Sequence, residues 1–200
     1  MPDMAGSTRR ADLPGRLIQS CKEGNQSAYH QLFKQTVDDV HRILYRLAGP
    51  QKDMEDLVQQ VYLAVFGSIA SFRGESAFST WLFGICLKVA RKHSRTLFRR
   101  FRLQSKAERE PRPAMETPEN GAARAQRAGK VHQVLQQLPF KLRTVLVLYE
   151  MEGFSGKEIA RQLGIPEATV WTRLHHARRA FKRSYKWENQ VTPTRRRAPP

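Results

Sequence analysis

Apolar residues return every third or fourth position over three stretches of the first hundred residues. Ala28, Leu32, Phe33, Val37, Val40, Ile43, Leu44 and Leu47 trace one helical stripe, which Gly49-Pro50 stops. Leu57, Val58, Val61, Tyr62, Val65, Phe66 and Ile69 trace a second. Phe78, Trp81, Leu82, Ile85 and Val89 trace a third, after a connector from Ser71 to Ser76. Strand-like alternation between hairpin turns is scarce. The pattern predicts a helical bundle over residues 13–104, behind a flexible tail over 1–12. It lapses at Ser105. Residues 105–129 are rich in Pro, Glu, Ala and Arg and poor in large apolar side chains. Such a stretch cannot offset its own ordering entropy and reads as a linker, although its last residues suit a helix.

Periodicity returns at Val131. Val134, Leu135 and Leu138 suit a short helix, and Pro139 opens another that carries Val145, Leu146, Leu148 and Tyr149 and ends near Gly153. Ser155-Gly156-Lys157-Glu158 fits a capping box. Ile159, Ala160 and Leu163 are expected to face inward. Gly164 suits the left-handed residue that closes a helix, and Pro166 suits the first turn of the next. In that next helix Val170, Leu174, Ala177 and Phe181 make one buried stripe. The second unit is placed at 130–187, and the basic tail at 188–200 reads as disordered. The expected architecture is all-α: two small helical domains joined by a flexible linker.

The faces away from that stripe carry Trp171, His175, Arg178 and Lys182, and beside them Thr172, His176, Arg179 and Arg183. No acid occurs from Thr169 to Trp187. This layout matches a helix-turn-helix, whose second helix enters the major groove. Polar side chains there read base edges while Arg and Lys hold phosphates. The small Ala160 would permit the close approach of the two helices. The plainer reading is a helical hairpin with a solvated basic face. A metal site at His175 and His176 is disfavoured, because neighbours on a helix point about 100° apart.

Charge sharpens the picture. Lys plus Arg number 35 against 18 Asp plus Glu, a net charge of +17 and a pI near 10.6. The excess favours a polyanionic partner, although a basic chain is also simply soluble. Cys21 and Cys86 form no CxxC, disulfide framework or zinc site, which suits a reducing cytosol. The N-terminus lacks the apolar run of a secretory signal, and no stretch approaches a membrane span. The cytoplasm is the expected location, with no cofactor and no metal.

From Lys88 to Lys106 there are eight Lys or Arg and no acid, with Phe98 and Phe101 interleaved and Phe78 and Trp81 just upstream. Aromatic faces beside cations hold unstacked single-stranded bases. Phe78 and Leu82 better suit a core, and Trp81 suits either. The second helix opens with Asp53-Met54-Glu55-Asp56, acids that complement the helix dipole. With Gln59 and Gln60 they also offer a polar face to a protein partner. On the residues alone two other readings stand. One is a self-sufficient helix-turn-helix regulator with an effector or dimerisation domain. The other is a nucleic-acid enzyme using Asp53, Glu55 and Asp56 with Mg²⁺, a reading that no Gly-rich phosphate loop, nucleophile elbow or HExxH supports.

The stretch "DMEDLVQQVYLAVFGSIASFRGESAFSTWLFGICLKVARKHSR" (Asp53–Arg95) resembles region 2 of the sigma-70 family of bacterial RNA polymerase sigma factors. "LPFKLRTVLVLYEMEGFSGKEIARQLGIPEATVWTRLHHARRAFK" (Leu138–Lys182) resembles region 4. The pair, with a variable linker and no third domain between, resembles the compact extracytoplasmic-function (ECF) group. The resemblance implies a promoter-specificity subunit, not an enzyme, and no small-molecule substrate. Asp53, Asp56, Leu57, Gln59, Gln60 and Leu63 would dock on core polymerase, at the clamp helices of the largest subunit. The flap of the second subunit would be a further contact. Phe72, Phe78, Trp81, Gly84, Lys88, Arg91 and Lys92 would hold the melted non-template strand of the −10 element. Trp171, Thr172, His175 and His176 would read the −35 element as duplex, with Arg173, Arg178 and Arg179 nearer the backbone. An anti-sigma factor, often a membrane protein, would hold the protein inactive. Gly84 and Lys88 stand where relatives often have Arg and Asn, and Trp171 where Lys or Arg is common.

Overall fold

The computed structural model describes residues 13–104 and 122–191. The expected tail at 1–12, the end of the chain from 192 and linker residues 105–121 lie outside them. Eight α-helices and no strand occur among the described residues: α1 (Gly15–Lys22), α2 (Gln26–Ala48), α3 (Met54–Ser68), α4 (Phe78–Gln104), α5 (Ala122–Gln137), α6 (Phe140–Leu146), α7 (Gly156–Leu163) and α8 (Glu167–Val191). Helices α1 to α4 make one compact unit and α5 to α8 another.

The first unit is built around α4. Leu82, Phe83, Ile85, Cys86, Leu87 and Ala90 are all buried, so the helix is apolar nearly all round before its basic run begins. A helix of that kind belongs in the middle, and α2 and α3 pack on it. Leu32, Val40, Leu44 and Leu47 come from α2, and Leu57, Val61 and Val65 from α3. Each such side chain contributes about 1.5–3 kcal/mol by burial. The Thr36 hydroxyl lies 2.7 Å from the Tyr62 hydroxyl inside this core and donates to the Leu32 carbonyl. Burial pushes Tyr62 up to about 12, against the opposing effect of the Thr36 hydrogen bond. The Asn25 side chain accepts from the Ala28 N–H to start α2, and Gly49, at φ 85°, ends it.

Two features depart from the hydrophobic pattern. Helix α1 is an addition, anchored by Leu17, Ile18 and Cys21. Phe33, expected inward, is 37% exposed and lies against the Tyr62 ring at the edge of α2.

In the second unit, Val134, Leu135, Leu138, Val145, Val147, Leu148, Ile159, Val170, Leu174 and Ala177 form the core. The buried Arg143 ties the α5–α6 turn together. It donates to the Gln136 side chain, to the Gln136 carbonyl at 2.9 Å and to the Leu138 carbonyl at 3.1 Å. Beyond α6 the chain widens into a π-helical turn, Val147–Met151.

One sequence expectation is met here and two change. Helix α5 starts at Ala122, so the last residues of the expected linker, 122–129, are helical as their Ala-rich sequence suits. Helix α8 runs on to Val191, into the expected tail, because no proline or glycine stops it before Pro193. Phe181 is only half-buried and stacks on Tyr185 at 5.8 Å, so the buried stripe of α8 narrows to Val170, Leu174 and Ala177.

Candidate nucleic-acid interface

The hinge between α7 and α8 forms as its sequence dictates. Ser155 accepts from the Glu158 N–H at 3.3 Å, and the Glu158 carboxylate accepts from the Ser155 N–H at 2.8 Å. Gly164 closes α7 at φ 63°, ψ 43°, and the Ile165 N–H reaches back to the Ala160 carbonyl. The Pro166 carbonyl then takes the first bonds of α8, from Thr169 and Val170. Pro166 thus stands just ahead of the helix, one place earlier than expected. Its missing N–H costs nothing there either.

Position round α8 sorts the expected −35 residues. At about 100° per residue, Thr172, His175, His176 and Arg179 point away from the Val170–Leu174–Ala177 stripe. All four are exposed, as are Lys182 and Arg183 further along. The His175 and His176 rings sit 5.7 Å apart. The Thr172 hydroxyl donates to the Ala168 carbonyl, which leaves its oxygen to accept and its methyl to touch. Arg173 lies on one flank, half-buried.

Trp171 and Arg178 share the other flank, about a quarter-turn from the core. Trp171 is 43% exposed, and its indole lies over Gly156 at the start of α7. A Cβ at 156 would stand 2.5 Å from indole Cζ2 and 2.9 Å from Cε2, so glycine is what lets the two helices approach. The close point is therefore Gly156, not Ala160, which is only half-buried. The edge of Tyr149 meets the indole at 5.5 Å. The Arg178 guanidinium sits 5.3 Å over the Tyr149 ring and is paired with Glu150. Sequence reasoning missed Glu150, because nothing local links it to a helix 28 positions on.

In the first unit Trp81, Gly84, Lys88, Arg91 and Lys92 recur at helical spacing along one side of α4. Trp81 and Gly84 are half-buried, and Lys88, Arg91, Lys92 and Arg95 are exposed. Phe72 and Phe78 must be moved off the expected −10 surface. They are 8% and 1% exposed and pack edge-to-face at 5.5 Å. Their rings are taken up by the core and back the Trp81 indole at 5.4 and 5.3 Å. Lys22 adds a cation that sequence reasoning missed, with its ammonium 6.0 Å over the Phe72 ring. The side chains of Phe98 and Phe101 lie outside the described ones.

On α3 the side chains of Asp56, Gln59, Gln60 and Leu63 fall on one exposed face, and Leu63 is 67% exposed. Asp53 is exposed just ahead of the helix. Leu57, expected on this face, is 2% exposed and belongs to the core. Glu55 turns aside toward His41, 3.5 Å away. Among the described residues no three His, Cys, Asp or Glu side chains gather as a metal set. No helix of the described residues is long and apolar enough to cross a membrane.

Comparison with known proteins joins these surfaces. Residues 32–100 match the family model for Sigma-70 region 2, and residues 128–181 match the model for Sigma-70, region 4. The chain is 30% identical over 194 residues to the ECF RNA polymerase sigma-E factor of Haemophilus influenzae, covering 88% of the chain and 94% of that protein. The structure of CnrH in complex with the cytosolic domain of CnrY matches with a TM-score of 0.58 at 26% identity, over 84% of this chain and 93% of that one. The sigma factor RpoE of Bartonella quintana, solved with the anti-sigma factor NepR, shares the fold. Its TM-score is 0.58 at 20% identity, over 79% of this chain and 96% of that one.

Proposed function

The chain belongs to the ECF group of the sigma-70 family, and from that premise we propose that its two units grip the two elements of a promoter while core RNA polymerase carries them. The observation that carries the reading is the face of α8 made by Thr172, His175, His176 and Arg179, exposed beside a capped and glycine-hinged α7. That face reads the −35 duplex. His175 and His176 offer ring nitrogens to base edges, the Thr172 oxygen and methyl suit an amino group or a thymine methyl, and Arg179 meets the backbone.

The −10 strand is held on α4. Trp81 offers the stacking face, Phe72 and Phe78 fix its angle from below, and Lys88, Arg91 and Lys92 carry the phosphates. Gly84 leaves room between them. Asp53, Asp56, Gln59, Gln60 and Leu63 dock on the polymerase, where the two acids meet a basic partner surface and Leu63 supplies apolar contact. A protein regulator of the anti-sigma kind competes for these surfaces. The complexes in which CnrH and the Bartonella factor were solved support that partner. The cytoplasm is where these partners meet.

Run-off transcription tests the whole reading. The purified chain added to core polymerase should direct starts at one class of promoter, and core alone should not. Failure to bind core, or initiation that does not depend on the chain, would overturn it.

A further inference from the structure

One arginine on the flank of α8, beside the face that reads DNA, is already paired. We propose that Glu150 is a positioning residue for −35 recognition: it holds Arg178 against the flank of α8, so that Arg178 makes no contact to a DNA phosphate. The inference deepens the reading of α8 as the −35 helix and rests on it.

Three observations carry it. First, Arg178 Nε donates to Glu150 Oε1 at 2.7 Å, and Nη2 forms an ion pair with the same oxygen at 2.5 Å. Charge-assisted bonds of that length are among the stronger ones a surface offers. Second, the guanidinium also lies over Tyr149, whose own ring is held edge-on by Trp171, and Trp171 is seated on Gly156. One edge and one face of the guanidinium are thereby engaged. Third, the carboxylate is not on α8. It arrives from the π-helical turn Val147–Met151, where the Glu152 N–H closes on the Val147 carbonyl five residues back. The pair is therefore set by the fold rather than by a flexible neighbour one turn away.

The electrostatic consequence follows. A guanidinium with a carboxylate in direct contact presents a dipole, not a charge, to a phosphate beyond it. Each phosphate that a protein neutralises releases counterions and steepens the salt dependence of binding by about 0.9. Arg178 therefore adds nothing to that slope. Arg179, Lys182 and Arg183, exposed on α8 and without an acidic partner among the described residues, supply it. Phosphate contacts carry no sequence information. By withholding one, Glu150 lowers the attachment of this helix to DNA in general and leaves its base contacts as they are.

The test measures binding of the full chain to a duplex that the wild type selects from a random pool, and to a scrambled duplex, between ~50 and ~200 mM salt. Arg178→Ala should leave the salt slope unchanged. Glu150→Gln, which keeps the shape and removes the charge, should steepen it by about 0.9, so that affinity falls about 3-fold further across that range. The gain at low salt should be equal on both duplexes. Glu150→Gln combined with Arg178→Ala should return the wild-type slope. A slope that drops by about 0.9 in Arg178→Ala and stays put in Glu150→Gln would overturn the proposal. So would a double variant as steep as Glu150→Gln alone. Arg179→Ala is the reference. If it too leaves slope and affinity unchanged, α8 is not the DNA-gripping helix, and the −35 reading fails with the proposal.

Discussion

At Gly156, buried beneath the Trp171 indole, a single added methyl group would run into the ring. Alanine is the better helix former by ~1 kcal/mol, so intrinsic propensity favours Gly156→Ala. The indole of Trp171 opposes it, because a rigid ring cannot yield the way a flexible chain end does. Overpacking of this kind costs about 1–3 kcal/mol. We expect Gly156→Ala to lower the urea midpoint of the full chain, and an equal or higher midpoint would show that the indole moves freely. The aromatic residues before α4 allow a similar separation. Phe78→Ala should cost about 3–5 kcal/mol of stability. Trp81→Ala should leave the fold nearly intact and abolish binding of polymerase holoenzyme to a single-stranded −10 oligonucleotide. Equal loss of stability in the two variants would return Trp81 to the core. Composition placed both residues beside a cationic run, but it is silent on which way a ring points.

Elements were legible where their determinants are local. The capping box, the left-handed Gly164 and the proline ahead of α8 lie within a dozen residues of one another, and each has a chemical reason that needs no tertiary context. Ser155→Ala should therefore cost about 1 kcal/mol, read from thermal or urea unfolding. Helix α1 was illegible because eight residues hold too few turns for a stripe to show, and only packing through Leu17, Ile18 and Cys21 makes it a helix. The Glu150–Arg178 pair was illegible for the opposite reason. Its partners are ordinary residues that become neighbours only after the π-helical turn forms. On α3 the residues that the resemblance assigned to polymerase docking form an exposed row at Asp56, Gln59, Gln60 and Leu63, while Leu57 was lost to the core one step round the helix. Replacing Asp56 and Gln60 together by Ala should weaken capture by core polymerase in pull-down and leave duplex binding unchanged. A loss of both would point to unfolding rather than a lost docking face.

Across the whole molecule, acid should act unevenly. His132 is buried in the second unit, and burial together with the nearby Arg143 lowers it from 6.5 to about 4. The unfolded chain therefore takes up a proton before the folded one. Stability is complete above pH ~6.5 and falls as pH drops toward ~4, by up to about 3 kcal/mol. The midpoint of the full chain should fall between pH 7 and 5, and the fall should shrink in His132→Gln. A pH profile unaltered by that substitution would assign the loss to another group. Each unit, in addition, closes its own hydrophobic core from its own four helices. That gives the chain a seam. A recombination joint between residues 104 and 122 severs no described helix, so a hybrid could inherit its region 2 half from one parent and its region 4 half from another with both interiors unbroken. New promoter tastes can then arise by shuffling whole halves, without the slow repair that follows a cut through a packed interior.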